Sequence, residues 1–384
     1  MKILYGVAGE GFGHAARSRT IIRHLAASHD VLIVASARAY EYLSGFFPDV
    51  VDIEGLRFVY EGNEIDPIAT VWDLVDRLPQ MVSHNLDRFL ELSGSFTPDV
   101  VISDFDSFAY LFGKHHDVPV LSIDNLHVLT RCTLDVDIPP RYEEDYWVAR
   151  QFVASKLPDC SHYMVTTFFF PEVCEERTSL WPPVLRPEVV NAARTEGEHV
   201  LVYHSAADEE VLGVLMEAGV PCRVYGFGVE EKHGALQLRE FSDTRFIEDL
   251  ASCRAVVATG GFSLMSEAIF LGKPYLALPI GGQFEQVLNS LYLQKLGYGE
   301  YGDRLTPQSL AGFLSRVDAH AARLETYGQE GNTKILRALD GLLARMQGGG
   351  GPADGDDLAA DIVESFFGEL EDLADLLSDD ADRP

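Results

Sequence analysis

Basic residues are scarce in this sequence, which has 30 Lys and Arg against 60 Asp and Glu among its 384 residues. Proteins that bind nucleic acid or anionic lipid concentrate Lys and Arg on one face. The formal net charge of -30 therefore excludes a nucleic-acid partner and a polybasic membrane anchor. Part of the acidity is local, because residues 348–384 hold 12 Asp and Glu against one Arg and leave about -19 for the rest.

Long apolar runs and paired cysteines are also missing. No stretch approaches the about 20 apolar residues of a membrane-spanning helix, and the apolar run at residues 1–7 is too short for a signal peptide. We therefore expect at most peripheral contact with a membrane. The five cysteines are scattered without a C-x-x-C pair, which predicts reduced thiols in a cytoplasmic protein.

The rest of the composition is that of a globular protein, with 47% hydrophobic and 10% aromatic residues. The length suffices for two domains, each with its own core. Strand and helix patterns alternate in both halves, which predicts an α/β fold with two Rossmann-like domains. A proline-rich crossing places the domains at residues 1–185 and 186–347, followed by a Gly linker and an acidic tail over 348–384.

The most informative stretch lies in the second half. An apolar strand at residues 255–258 is followed by Gly260 and Gly261, and then by a helical pattern that Ser263 is placed to cap. Backbone N–H groups that converge at such a helix start bind anions, so this turn suits a phosphate. Glu267, one turn into the helix, has the wrong charge for phosphate but can accept hydrogen bonds from two ribose hydroxyls.

A second glycine loop, residues 281–286, follows the next predicted strand. Ligands of open α/β sheets bind at the carboxyl ends of the strands, where both loops are placed. The amide and carboxylate side chains of Gln283, Glu285 and Gln286 suit sugar hydroxyls better than a metal. A glycine pair before a helix also occurs in loops that bind nothing, so the ligand hypothesis rests on the two loops together.

The first half opens with a similar strand, turn and helix. Gly11, Phe12 and Gly13 form a turn whose glycines let a substrate approach the backbone, and His14 stands at the helix start. The positive end of the helix dipole disfavours imidazolium, so His14 suits a general base, although a capping or surface histidine would fit the same pattern. Because the spacing is not G-x-G-x-x-G and no acid ends the second strand, a nicotinamide cofactor is not expected.

Acidic residues follow two further strands of the first half, at Asp104, Asp106 and Asp124. Asp104 and Asp106 form a D-x-D pattern typical of divalent-ion ligands, but the pattern is common by chance in so acidic a chain, and we predict no metal site. One of the three acids is expected instead to orient His14 across the end of the sheet. Asp104 lies nearest its strand and is the preferred candidate.

Two further groups in the second half are candidates for nucleotide contacts. His204 ends the first predicted strand of that domain and faces the position expected for a diphosphate. Phe246 and Ile247 are placed to line an apolar wall for a nucleobase. Ordinary packing explains both groups equally well.

The acidic tail has an apolar stripe over residues 358–377, a pattern typical of a helix that docks on a partner protein. A solvating tail with transient helix has the same composition. Both interpretations stay open.

The motifs G-x-G-F-G-H at residues 9–14, T-G-G-F-S-L-M-S-E-A at 259–268 and G-G-Q-F-E-Q at 281–286 resemble those of GT-B glycosyltransferases. The resemblance is closest to the group that contains the bacterial lipid-intermediate N-acetylglucosaminyltransferase, plant galactolipid synthases and their uncharacterised prokaryotic relatives. It covers about residues 1–346 and implies two Rossmann-like domains that face a cleft. The sequence departs from the group at residues 262–265, F-S-L-M, where relatives often carry smaller polar residues.

By this resemblance, His14 is the acceptor-side base and Glu267 the ribose-binding acid. The same resemblance assigns the diphosphate turn to Gly260, Gly261 and Ser263, and the donor-sugar loop to Gln283, Glu285 and Gln286. It implies transfer of a hexose from a nucleotide diphosphate sugar, UDP-linked as in the relatives, to an unidentified glycan, lipid or small-molecule hydroxyl without a cofactor or metal. Two alternatives remain, a non-hydrolysing nucleotide-sugar epimerase and a non-catalytic nucleotide-sugar-binding protein.

Overall fold

The computed structural model describes residues 1–61, 64–204 and 209–346, so the predicted linker and acidic tail lie outside the described residues. The elements of the first half are, in chain order, β1 (Lys2–Val7), α1 (Phe12–Leu25), β2 (Asp30–Ser36), α2 (Ala37–Ser44), β3 (Val50–Ile53), β4 (Tyr60–Glu61), β5 (Glu64–Ile65), α3 (Pro67–Ser95), β6 (Val100–Asp104), α4 (Ser107–His115), β7 (Val120–Asp124), α5 (Val128–Arg131), β8 (Cys132–Thr133), a short 3-10 helix (Pro140–Tyr142), α6 (Glu143–Lys156), β9 (His162–Thr166), β10 (Glu172–Val173), β11 (Thr178–Trp181) and α7 (Pro187–Val190).

The second half continues the alternation of strands and helices. Its elements are, in chain order, β12 (Val200–Tyr203), α8 (Glu209–Ala218), β13 (Cys222–Tyr225), β14 (Glu231–His233), β15 (Leu236–Arg239), α9 (Asp243–Ser252), β16 (Ala255–Ala258), α10 (Phe262–Phe270), β17 (Tyr275–Ala277), α11 (Phe284–Leu296), β18 (Gly299–Tyr301), α12 (Pro307–Leu324) and α13 (Thr333–Met346).

The first domain is built on a parallel sheet of seven strands in the order β11-β9-β7-β6-β1-β2-β3. Successive side chains of a strand point to opposite faces. Along β1, Ile3 and Tyr5 belong to one apolar core and Leu4 to the core on the other face. Because both faces are covered, the central strands are apolar throughout, as parallel sheets require.

The second domain is built on a second seven-stranded sheet in the order β14-β15-β13-β12-β16-β17-β18. All its neighbouring strands are parallel except β14, which runs antiparallel to β15. β16 lies where the sequence predicts it, and α10 begins at Phe262. The N-cap of α10 is Gly261 and not the predicted Ser263, because the backbone is extended only as far as Gly261 and Ser263 already lies in the first turn. α11 ends at Gly297, whose φ of 76° is that of a glycine cap. The two predicted α/β halves are therefore confirmed.

The last described helix, α13, returns to the first domain. Its buried Ile335 and Leu339 belong to the same core as Ile3 of the first sheet. His24 on α1 also lies 2.9 Å from Asp340 on α13, measured between Nε2 and Oδ1. The sequence had assigned this helix to the second domain, because an apolar stripe does not reveal which sheet it covers.

The two domains meet through stacked aromatic rings. The rings of Phe169 and Tyr292 lie 3.7 Å apart, measured between centroids, at an interplanar angle of 6°. Phe168 stacks on Phe262 at 6.2 Å and 24°. Phe262 is the first residue of α10, so its aromatic ring packs the start of this helix against the first domain.

Candidate functional site

The site is built where central strands of both sheets end. Val7, the last residue of β1, is paired in register with Asp104, the last residue of β6. In the second sheet, Tyr203 of β12 is paired with Ala258 of β16 in the same way. The turns that follow these strands carry the residues predicted from sequence, as the topology of open α/β sheets requires.

Two helices begin at glycine on opposite sides of the cleft. α1 is capped by Gly11, whose φ of 81° lies in the left-handed region, and α10 is capped by Gly261. Neither cap provides a side chain to accept from the first backbone N–H groups, which are left to other partners. A Cβ built on Gly13 would lie 2.5 Å from Oγ of Ser263, so the two helix starts face each other at close range.

His14 on the first helix start is paired with Asp104. Nδ1 of His14 lies 2.8 Å from Oδ1 of Asp104, which is completely buried. Burial alone would raise the pKa of Asp104, but the charges of Arg17 and His14 outweigh burial and hold this pKa below its usual value. Because an ionised carboxylate only accepts, we assign the proton to Nδ1 of His14, which leaves Nε2 as the proton acceptor.

Arg17 is a member of this group that was not predicted from the sequence. Its Nε and Nη2 donate to the two oxygens of Asp104 at 2.8 and 2.5 Å, and the Ser18 hydroxyl donates to Asp104 at 2.7 Å. Nη2 also lies 2.7 Å from Nδ1 of His14, which is not a hydrogen bond when Nδ1 donates to Asp104. The signal was the i, i+3 spacing from His14 to Arg17, which places both side chains on one face of α1.

The other two acids considered as partners of His14 have different contacts. Asp106 caps α4, where its Oδ1 accepts from the backbone N–H of Ala109 at 2.8 Å. Asp124 lies 2.7 Å from Nδ1 of the buried His127. Within the described part of the chain, no group of three or more His, Cys, Asp or Glu is placed to hold a metal ion.

Phe105, directly after Asp104, has an unusual backbone conformation. Its φ is 58°, in the left-handed region that an aromatic residue rarely adopts, and such a residue costs roughly 1–3 kcal/mol. Its ring is stacked on the His14 ring, with centroids 6.5 Å apart. Backbone strain of this kind is typical of functional sites, and here it lies beside the His14–Asp104 pair.

The second helix start is supported by neutral groups. Oε1 of Gln286 accepts from the backbone N–H of Gly260 at 3.0 Å and of Ile280 at 3.1 Å, and Asn289 donates to the carbonyl of Gly260 at 3.0 Å. A Cβ on Gly260 would lie 2.4 Å from the carbonyl oxygen of Gln286, so glycine is needed there for close packing. Gln286, predicted as a sugar ligand, is buried and holds the two donor loops together.

Glu267 carries a partner that the sequence did not reveal. Both its carboxylate oxygens accept from Arg186, through Nε and Nη2 at 2.7 Å each, and both residues are buried. Nη1 of Arg186 also lies 3.4 Å from Asp243. Any ribose contact at Glu267 therefore shares the carboxylate with Arg186.

The predicted sugar loop borders the first domain. Gln283 precedes α11 and is partly exposed, and it accepts from the amide of Gln286. Glu285, on the first turn of α11, accepts from Nδ2 of Asn125 at 2.9 Å. Asn125 directly follows β7, so this bond joins the two domains.

The remaining predicted nucleotide contacts lie deeper in the second domain. His204 follows β12 and is buried, with its carbonyl packed against Gly226. Phe246 and Ile247 are buried on α9, and the ring of Phe246 lies 5.0 Å from that of Tyr225. These contacts are those of packed core residues.

Two Rossmann-like α/β domains that face one cleft are the arrangement of the GT-B fold. The chain belongs to the family described as glycosyl transferase family 1, whose model matches residues 1–318. It is therefore a glycosyltransferase, and the predicted class and fold are confirmed.

Relatives and solved structures support this family assignment. The chain is 24% identical over 342 residues to an uncharacterized glycosyltransferase of Methanosarcina mazei, covering 80% of this chain and 87% of that protein. It resembles the glycotransferase of kitacinnamycin with a TM-score of 0.66 and 16% identity over 90% of this chain and 98% of the other. It also resembles the glycosyltransferase VinC, solved in complex with dTDP, with a TM-score of 0.60 and 16% identity over 90% of this chain and 99% of that one.

Membrane contact was expected to be peripheral at most. Among the described helices, none combines the length and the apolar character that crossing a bilayer demands.

Proposed function

We propose that the protein transfers a hexose from a nucleotide diphosphate sugar, bound by the second domain, to an acceptor hydroxyl delivered by the first. One observation carries this proposal, which is the close approach of Gly13 and Ser263 beside the His14–Asp104 pair. A base and an anion-binding helix start are thereby brought to the same point. Transfer between a hydroxyl and a sugar diphosphate needs both.

His14 is the proposed general base. Its Nε2 takes the proton of the acceptor hydroxyl while Asp104 holds the ring and stabilises the imidazolium that forms. Arg17 and Ser18 keep Asp104 ionised and fixed in place. The departing nucleotide diphosphate gains negative charge, which the first backbone N–H groups of α10 are oriented to stabilise.

In this proposal, the sugar, the diphosphate and the ribose of the donor bind one after another along the second domain. The sugar lies at Gln283 and Glu285, the diphosphate at Gly261 and Ser263, and the ribose at Glu267. Gln286 holds the two donor loops in place through the hydrogen bond that it accepts from the backbone N–H of Gly260. Because the helix start and backbone amides meet the diphosphate charge, transfer proceeds without a bound metal in this proposal.

The nucleotide and acceptor follow from similarity alone. Related GT-B enzymes favour UDP, whereas the structurally similar VinC was solved with dTDP, so both nucleotides belong in a test. The acceptor in this proposal is a hydroxyl of a glycan, a lipid or a small molecule. A cytoplasmic location agrees with cysteines that are free wherever the structure describes them.

Ligand-induced stabilisation and an NMR time course test this function together. A nucleotide that binds the folded state at 100 times its Kd raises the free energy of unfolding by about 2.7 kcal/mol. We expect UDP or dTDP to raise the melting temperature, and the matching sugar nucleotide to be consumed only when an acceptor is present. Epimerisation of the sugar nucleotide without an acceptor, or no response to any nucleotide, contradicts the proposal.

A further inference from the structure

One buried amide spans the cleft between the two domains. Oδ1 of Asn125 accepts from Nη1 of Arg17 at 2.5 Å, and Nδ2 of Asn125 donates to Oε1 of Glu285 at 2.9 Å. Asn125 is 5% exposed. It therefore contacts a cation of the first domain and an anion of the second at the same time.

An amide is the side chain that this position requires. The oxygen of Asn125 faces a guanidinium, which only donates, and its nitrogen faces a carboxylate, which accepts when ionised. The two neighbours thus determine the orientation of the amide. Aspartate in the same place would keep the bond to Arg17 but turn a negative charge toward Glu285.

The two hydrogen bonds of Asn125 are part of a longer series of side-chain contacts. Arg17 holds Asp104, and Asp104 contacts His14, so an unbroken series of side chains runs from the proposed base to Glu285. Its last bond is the one that crosses between the domains. If the domains separate, this bond of the series breaks, and the Asn125 amide that orients Arg17 loses its second partner.

We propose that Asn125 is a positioning residue that couples closure of the donor-sugar loop to alignment of the His14–Asp104 pair. This inference rests on the proposed function. The base then reaches its working geometry only when Glu285 has closed against the first domain. Asn125 acts through Arg17 and Glu285 and does not itself exchange a proton.

A charge-balanced pair of variants tests the coupling. A hydrogen bond to a charged group is worth about 1.5–3 kcal/mol, which corresponds to roughly 10- to 100-fold. We expect Asn125→Asp to lower kcat by that factor in the wild-type background, because the introduced carboxylate would repel Glu285. In a Glu285→Gln background the same change should cost less than about threefold, since the Gln amide can donate to the new carboxylate.

The assay follows consumption of UDP-glucose or dTDP-glucose, whichever the wild type uses, in the presence of an acceptor that supports turnover of the wild type. Binding of UDP, measured by calorimetry, should be unchanged within about threefold in N125D, because UDP lacks the sugar that faces Glu285. The matched control is Arg141→Gln, which breaks an exposed bond between the domains at Asp303 and should leave kcat within about threefold. Equal costs of N125D in both backgrounds would overturn the proposal.

Hydrogen exchange of residues 281–286 gives a readout that needs no turnover. N125D should exchange at least about tenfold faster in this segment, and N125D with Glu285→Gln should return to the wild-type rate. Unchanged exchange would refute the link even in an active enzyme. If exchange responds as expected but no donor is consumed, the proposed function fails while the link stands. Should N125D not fold, Asn125→Ala and Glu285→Ala form the same cycle, in which additive effects overturn the coupling.

Discussion

The two glycine turns look alike in sequence and differ in what surrounds them. The first turn leads to His14, and the group behind it is ionised, with Asp104 fixed by Arg17 and Ser18. The second turn is supported by the neutral side chains of Gln286 and Asn289, which form hydrogen bonds with the backbone of Gly260. Charged side chains thus hold the first turn, whereas neutral side chains hold the backbone of the second, and the buried Glu267–Arg186 ion pair lies one turn further along α10.

This difference separates two kinds of chemistry on similar backbones. A base needs an ionised partner to hold its tautomer, whereas an anion-binding helix start works best when no side chain competes for its N–H groups. In the proposed function, the same strand, turn and helix serves proton transfer in one domain and phosphate binding in the other. The neighbours of each turn decide which.

The largest expected effect comes from a substitution at the first turn that removes the proposed base and leaves the second turn intact. His14→Gln should lower kcat by about 10²- to 10⁴-fold, because the acceptor proton loses its base, while UDP affinity stays unchanged. Steady-state kinetics and calorimetry measure the two quantities. His24→Gln on the same helix is the control, since His24 pairs with Asp340 at the surface. If H14Q retains turnover, the first turn is not the site of proton transfer.

A second prediction compares the stability cost of alanine substitutions at the two glycines of the second turn. A Cβ on Gly260 meets a backbone carbonyl at 2.4 Å, whereas a Cβ on Gly261 has its nearest neighbour at 3.7 Å. Gly260→Ala should lower the free energy of unfolding by roughly 1–3 kcal/mol through overpacking, and Gly261→Ala should leave it nearly unchanged. Urea denaturation compares the variants. Equal stability would show that Gln286 does not fix the turn as described.

A third, smaller effect concerns the open side of Gly261. The added methyl of Gly261→Ala occupies space that we assign to the diphosphate, so UDP affinity should fall about tenfold, or about 1.4 kcal/mol. Calorimetry with UDP measures it, and Gly213→Ala on α8, where an added Cβ meets no atom within 4 Å, is the control for binding. Unaltered UDP affinity in G261A would place the diphosphate elsewhere.

The smallest effect follows from the charge behind the first turn. The folded-state pKa of Asp104 lies below its usual value of 3.8, so its contribution to stability is fully present above that value. The contribution is lost as the pH falls through the lower, folded-state pKa. Asp104→Asn should therefore flatten the decline of stability below about pH 4, measured by urea denaturation, whereas Gln286→Met should keep the wild-type slope. Identical slopes in all three proteins would contradict an ionised Asp104.

The sequence was sufficient to predict the architecture and the pairing of His14 with Asp104, which are 90 positions apart. This succeeded because strands of a parallel sheet end at one edge, so residues after β1 and β6 had to meet. It was not sufficient for the partners that arrive from elsewhere. Nothing local marked Asn125 as a bridge or Arg186 as the partner of Glu267, since both contacts depend on how the domains close.

Burial was the second feature that local patterns did not reveal. Phe246 and Ile247 were candidates for a nucleobase wall, yet both are packed into the second domain. An apolar pair on an amphipathic helix looks the same whether it lines a pocket or fills a core. The sheet covered by α13 was ambiguous for the same reason, because its stripe fits either domain.

A crystal structure of the protein with UDP tests the central claim most directly. We expect a phosphate oxygen within about 3.2 Å of the backbone nitrogens of Phe262 or Ser263, with Nε2 of His14 across the cleft. UDP bound away from the start of α10, or a His14 ring turned out of the cleft that holds the UDP, would show that the two helix starts do not share one active site.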